Sequence, residues 1–332
     1  MRCIIISFLF LSVNIVAMAS DISYDQWLTG YPYPFEVIYY KFRSQQQDLR
    51  MAYMRIQPSD SKKFNGKTVV LLHGKNFNGA YWGQTAKALL TQGYQVIIPD
   101  QIGFGKSSKP RCYQFTFQAL AENTKKLLDS LGIHKIFLVG NSMGGMIAIR
   151  YALMFPEYVE KLVLVDPIGL EDWERTVPYQ SIDNWFKREL NQTPRSIKEY
   201  ERKDYFHGQW KNKYDIWIQP LVGWLNGPDR TLLAWESALT YDMIFTRPVY
   251  YELEYLKMPV LLIAGSEDRT ALGKDLVSED VRKSLGLYQK LAPQTARRIP
   301  KARLLMLKGL GHVPQIEDFK RFIKPVEEFL SN

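Results

Sequence analysis

A chain of 332 residues with 46% apolar content has the length and composition of one large globular domain, or of a core carrying a smaller insertion, and needs no covalent staples to fold. Its net charge of +9 comes from 43 Lys and Arg scattered among 34 Asp and Glu, a pattern that suits solubility and adhesion to anionic surfaces and argues against a nucleic-acid partner. Two cysteines exclude a disulfide framework.

Taken in chain order, Arg2, the apolar run from Cys3 to Val13 and the small-residue stretch Ala17-Met18-Ala19 have the layout of a secretory signal peptide, residues 1–19, with cleavage expected after Ala19. Cys3 would leave with it, and Cys112 would be the one remaining thiol. The run is short for a bilayer span and no later stretch is apolar enough, so a periplasmic or secreted protein with no stable membrane span is expected. Alternation then predicts two antiparallel strands, near Phe35 to Phe42 and Leu49 to Gln57, joined by a polar turn from Arg43 to Asp48.

Four nearly unbroken apolar runs follow, ending at Gly74, Asp100, Ser142 and Pro167, as strands buried on both faces of a parallel sheet require. Helix-length amphipathic segments lie between them, near Gln84 to Gln92, Phe117 to Leu131 and Met143 to Phe155. This alternation predicts an α/β fold with a mostly parallel, doubly wound sheet. It stops at Ile168 and resumes at the strand MPVLLIAG ending at Gly265, with a last strand near Arg303 to Leu307 bringing the total to eight. A terminal helix from about Glu317 to Leu330 carries Pro325, which argues for a kink or a late start. The organisation is therefore a core from 20–167 and 248–332, interrupted by a helical cap at 168–247.

The strongest chemical signal is Gly140-Asn141-Ser142-Met143-Gly144, a G-x-S-x-G sequence where a buried strand hands over to a helix. Glycines two residues to either side remove Cβ atoms that would clash at a strained turn, pushing the Ser142 hydroxyl out above the carboxyl ends of the strands. Such a hydroxyl needs a base. Of four histidines, His134 precedes the strand ending at Ser142 and lies about 23 Å from it at roughly 3.3 Å per strand residue. His73 follows a neighbouring strand and is expected to shape its turn together with Gly74, and His207 falls in the cap. His312, after the last strand, remains as the base. The loop GSEDRT offers Asp268, with Glu267 as rival, to hold the imidazole. The oxyanion needs two main-chain donors, expected from the N–H of Met143 and from that of Lys75, with Asn76 as alternative.

These residues, with the segment Asp100 to Ser107, the run Gly140 to Gly145 and Gly311-His312, resemble the α/β-hydrolase superfamily from about residue 35 to the C-terminus. The elbow GNSMGG is similar to that of C–C hydrolases acting on meta-cleavage products and of many small-ester hydrolases, and implies a Ser-His-Asp acyl mechanism. The loop HGKNFNG departs from the HGxGPG-like form common in the C–C hydrolases, which with the signal peptide argues against cytoplasmic aromatic catabolism. Gly105-Lys106-Ser107 is no phosphate loop, because Asp100 stands where its first glycine would be. No metal motif occurs and no cofactor is called for.

Six of the eight tryptophans, Trp173, Trp185, Trp210, Trp217, Trp224 and Trp235, fall in the cap. Most are expected to build its own core, and some to line an apolar site between cap and sheet. The expectation is a serine hydrolase acting on a small or medium carboxylic ester. A C–C hydrolase, lactonase or amidase with the same three residues is the enzymatic rival, and a small-ligand binding protein on the same fold is the non-enzymatic one. An ester intermediate on a carboxylate, as in epoxide hydrolases and haloalkane dehalogenases, is disfavoured by a hydroxyl at the elbow.

Overall fold

The computed structural model describes residues 22–332. The expected signal peptide lies outside the described residues. Strands β1 (Ile38–Ser44), β2 (Gln47–Ile56), β3 (Thr68–Leu72), β4 (Gln95–Pro99), β5 (Ile136–Asn141), β6 (Val159–Val165), β7 (Val260–Gly265) and β8 (Ala302–Leu307) form one sheet. Their order is β1-β2-β4-β3-β5-β6-β7-β8. Only β2 pairs antiparallel, with β1 and with β4. From β4 to β8 every pairing is parallel.

The helices in chain order are α1 (Gly83–Thr91), α2 (Phe117–Ser130), α3 (Met143–Met154), α4 (Ile182–Leu190), α5 (Pro194–Tyr200), α6 (Asp215–Leu225), α7 (Arg230–Thr246), α8 (Glu279–Ser284), α9 (Tyr288–Arg298), α10 (Pro314–Glu317) and α11 (Phe319–Ser331). Helices α1 and α11 cover one face of the sheet and α2, α3 and α9 the other. Strand side chains divide between the faces with period two. Val69, Leu71, Phe137, Val139, Val163, Val165, Leu261 and Ile263 face α1 and α11, while Val70, Leu72, Leu138, Leu162, Leu164 and Leu262 face α2, α3 and α9. Both faces demand apolar residues, hence the unbroken runs; each fully buried Val, Leu or Ile contributes roughly 1.5–3 kcal/mol.

Helices α4 to α7 come between β6 and β7. They are joined to the start of the described chain: Tyr24 N–H donates to the Gly223 carbonyl of α6 at 2.9 Å, and the Trp224 indole donates to the Asp25 carbonyl at 3.0 Å. Among the described residues no helix is long and apolar enough to cross a membrane.

Two elements differ from the sequence expectation. The opening hairpin pairs as far as Ser44↔Gln47, so its turn is only Gln45-Gln46, both left-handed at φ 48° and 61°. Polar residues expected in a loop are ladder residues of an exposed edge, where alternation carries no signal. The terminal helix starts at Phe319, because Asp318 adopts a non-helical φ of −142° and caps it by accepting from Arg321 N–H at 3.3 Å. The helix continues through Pro325.

Candidate active site

Sequential strands leave β3 in one direction and β5 in the other, and the crevice beyond the carboxyl ends of strands at such a switch is where open α/β sheets bind ligands. The loops after β3 and β5 carry Gly74 and Ser142. Between β5 and α3, Ser142 has φ 57° and ψ −122°, a strained conformation for a residue with a Cβ, and is 3% exposed. A Cβ at Gly140 would lie 2.2 Å from the Gly144 carbonyl oxygen, and one at Gly144 would lie 2.3 Å from that of Leu72. At Gly74 it would stand 3.1 Å from the Ser142 Cβ. The glycines thus let strand, helix and neighbouring loop approach to backbone contact around the serine.

Asn141 links this turn to its surroundings. Its amide donates to the Val165 carbonyl at 2.9 Å and to the His312 carbonyl at 3.2 Å, while its oxygen accepts from the Tyr81 hydroxyl at 3.2 Å. Tyr81 in turn accepts from Gly74 N–H at 3.2 Å. One buried network therefore connects the β3 loop, the elbow and the loop carrying His312.

His312 is fully buried, with Nδ1 2.7 Å from Asp268 Oδ2. Asp268 Oδ1 accepts from Thr270 N–H at 2.8 Å, which fixes the carboxylate. A carboxylate at Nδ1 accepts its proton and leaves Nε2 with the lone pair a base needs. Glu267 is not in this pairing; its carboxylate accepts from the Ser266 hydroxyl at 2.8 Å. The other histidines are elsewhere. His134 stands on the surface near Asp129, and His207 lies 3.3 Å from Glu317. Buried His73 donates from Nδ1 to the Gly74 carbonyl at 2.8 Å and accepts from Gln101 N–H at 3.0 Å, and burial lowers its pKa. It pins the β3 loop to the β4 loop in the neutral form.

Two further groups touch the His312–Asp268 pair and were not singled out from sequence. Asp166, at the end of β6 with φ 41°, is fully buried, accepts from Gly265 N–H at 2.7 Å, and has a carboxylate oxygen within 4.8 Å of Asp268 and His312 ligand atoms. Burial first, and then the charge of Asp268, push its carboxyl well above the usual range, so Asp166 keeps a proton. The run KLVLVDP held the signal: an aspartate ending a buried strand at the same sheet edge. Tyr205 ends a π-helical turn, Glu201–Tyr205, that follows α5. Its carbonyl accepts from His312 N–H at 2.9 Å, its ring lies 4.7 Å from the imidazole, and its hydroxyl accepts from the Asn76 amide at 3.1 Å.

Met143 is the first residue of α3, where main-chain N–H groups have no intrahelical partner. Lys75 follows Gly74 on the facing loop, and its side chain reaches into the cap. Its ammonium donates to Ser237 Oγ at 2.7 Å, Ser237 donates to Glu189 at 2.7 Å, and the ammonium lies 3.6 Å from the Tyr241 ring centre. Desolvation lowers it to about 8.

Above that loop lies a cavity of about 110 Å³, lined among others by Lys75, Phe104, Glu201, Trp224, Leu233 and Ser237. Of the six cap tryptophans Trp224 alone lines it; Trp185, buried, stacks on Tyr241 with ring centres 4.7 Å apart. Aromatic packing has gone mostly into joining the cap helices to each other and to the sheet.

A family model described as alpha/beta hydrolase fold matches residues 67–319. The crystal structure of a "probable hydrolytic enzyme" from Pseudomonas aeruginosa PAO1 superimposes with a TM-score of 0.91 at 46% identity, covering 94% of this chain and 99% of that one. Lipase 1 of Psychrobacter immobilis is 29% identical over 76% of this chain and 73% of its own. The 2-hydroxy-6-oxo-2,4-heptadienoate hydrolase of Pseudomonas putida is 24% identical over 80% of this chain and 90% of its own. Elbow, sheet order and these likenesses agree: the chain belongs to the α/β-hydrolase fold family.

Proposed function

We propose that the protein is a serine hydrolase cleaving carboxylic esters of small or medium apolar substrates. The observation that carries this reading is the buried Asp268–His312 pair, whose carbonyl is gripped by the side chain of Asn141, the residue before Ser142. In this reading Ser142 Oγ attacks the ester carbonyl as His312 Nε2 takes its proton. The oxyanion is held by the N–H groups of Met143 and Lys75, and the carbon–oxygen bond breaks as His312 protonates the leaving alcohol. Water, deprotonated by His312, then cleaves the acyl-Ser142 ester and regenerates the serine. The apolar lining supplied by Phe104, Leu221, Trp224 and Leu233 supports an acyl group as the recognised part. The N-terminal run, read as a signal peptide, supports action in the periplasm or outside the cell.

Turnover of p-nitrophenyl acetate, butyrate and octanoate by the wild type beside Ser142→Ala and His312→Ala tests the assignment. Each substitution is expected to lower kcat by about 10³-fold or more, while His134→Ala leaves it unchanged. Equal rates for wild type and Ser142→Ala overturn it. The likeness to a C–C hydrolase supports a second reading, hydrolysis of a carbon–carbon bond in a vinylogous diketone by the same three residues. Loss of the diketone chromophore without ester turnover would favour it.

A further inference from the structure

Glu201 opens the π-helical turn whose other end holds His312, and it lines the cavity above the β3 loop. It is 0% exposed, and neither carboxyl oxygen has a hydrogen-bond partner among the described residues. A polar group buried in this way costs stability unless something pairs with it, and unpaired buried side-chain oxygens are uncommon. Most other polar groups of the cavity are engaged, although Glu189 keeps one buried oxygen, Oε1, without a partner among the described residues. Lys75 is bonded to Ser237, Ser237 to Glu189, Arg188 to Asp275, and Arg230 to the Leu190 carbonyl. Glu201 is thus the lining carboxyl group with both oxygens unpaired.

The partner's chemistry follows from the surroundings. Burial raises the Glu201 carboxyl well above its ordinary range, so it is neutral, with one O–H to donate and a carbonyl to accept. At Glu201 a cationic ligand group would meet a neutral carboxyl, and the Lys75 ammonium in the same lining would repel it. A plain alkyl chain would leave both oxygens unpaired. What fits is a neutral group that both donates and accepts, a hydroxyl or a carboxamide. Ile197, Leu221, Leu233 and Ala234 surround it with apolar surface for a short carbon chain. A volume of about 110 Å³ has room for a short acyl chain.

We propose that Glu201 is a specificity-determining residue that pairs with a hydroxyl or carboxamide on the acyl chain, making short polar-acyl esters the preferred substrate class. This rests on the ester-hydrolase reading above. The test compares p-nitrophenyl butyrate with p-nitrophenyl 3-hydroxybutyrate and with the p-nitrophenyl ester of N-acetylglycine. The preference ratio is kcat/KM for each polar ester divided by that for butyrate, each corrected for its rate of alkaline hydrolysis. In the wild type at least one polar ester is expected to be favoured at least tenfold. Glu201→Met should cut that ratio tenfold or more, and Glu201→Gln, which still donates and accepts, should hold it within about threefold. A wild-type ratio near one overturns the proposal even if Glu201→Met does not fold, and so does a ratio that Glu201→Met leaves intact. Ester turnover with either result leaves the ester-hydrolase reading standing, whereas rates no higher than those of Ser142→Ala on all three esters overturn that reading instead.

Discussion

Where β6 and β7 end, two buried carboxyl groups meet, and only one can be ionised without a large electrostatic cost. Asp268 faces the imidazole Nδ1 and gains from its charge, so the proton stays on Asp166, which also accepts from Gly265 N–H. In this arrangement Asp166 is a positioning residue. Its proton offers a donor to the Asp268 anion, and an amide offers the same. Asp166→Asn should therefore retain kcat within about threefold, whereas Asp166→Leu should lower it about tenfold and move the acid limb of the pH–rate profile upward. Equal losses in both variants, with an unmoved profile, would make Asp166 a packing residue only. The same scale shows why Asp268 could be read from sequence and Asp166 was passed over. Both follow apolar strands, but the Ser-acid-His order directs attention to the loop after β7, and chain order says nothing of side chains that cross between neighbouring strand ends.

The π-helical turn Glu201–Tyr205 does its work through the main chain. A Cβ on Gly311 would fall 2.3 Å from the Tyr205 carbonyl oxygen, the atom that accepts from His312 N–H. Gly311→Ala must therefore lift the turn from the histidine loop. We expect a loss of about 100-fold or more in kcat with the far-UV circular dichroism retained; full activity would show that the contact is dispensable. Strands β3 to β7 were legible because a sheet buried on both faces imposes unbroken apolar runs. The elbow was legible because backbone contact permits only glycine at residues 140 and 144. The π turn was not, since widening a helix by one residue leaves no periodic trace in five residues that include Arg202, Lys203 and Asp204. Nor was the Lys75–Ser237 bond, which joins residues 162 apart by long side chains whose direction no pattern encodes.

At the scale of the molecule, buried ionisable groups between cap and core make stability depend on pH. Glu236 of α7 is 2% exposed, both its oxygens lack partners among the described residues, and burial raises its pKa to about 8 despite the nearby Lys109. The unfolded chain releases that proton near 4.5, so between about 4.5 and 8 the folded state binds the extra proton and loses stability as pH rises. Glu236→Gln cannot ionise. Its Tm should match the wild type near pH 5 and exceed it by several degrees at pH 8, and parallel Tm–pH curves would contradict this. The contacts between the first described residues and α6 bear on how the chain reaches this state. Ser23 and Asn226 bond across a separation of 203 residues, as do Gln26 and Asp229. Residues 22–31 therefore meet α6 only after about 200 further residues have been made, while the Leu28 carbonyl also accepts from the Lys106 ammonium, after β4, at 2.6 Å. This end is thus a tie between α6 and the loop after β4, and whatever trims residues 22–31 loosens both at once.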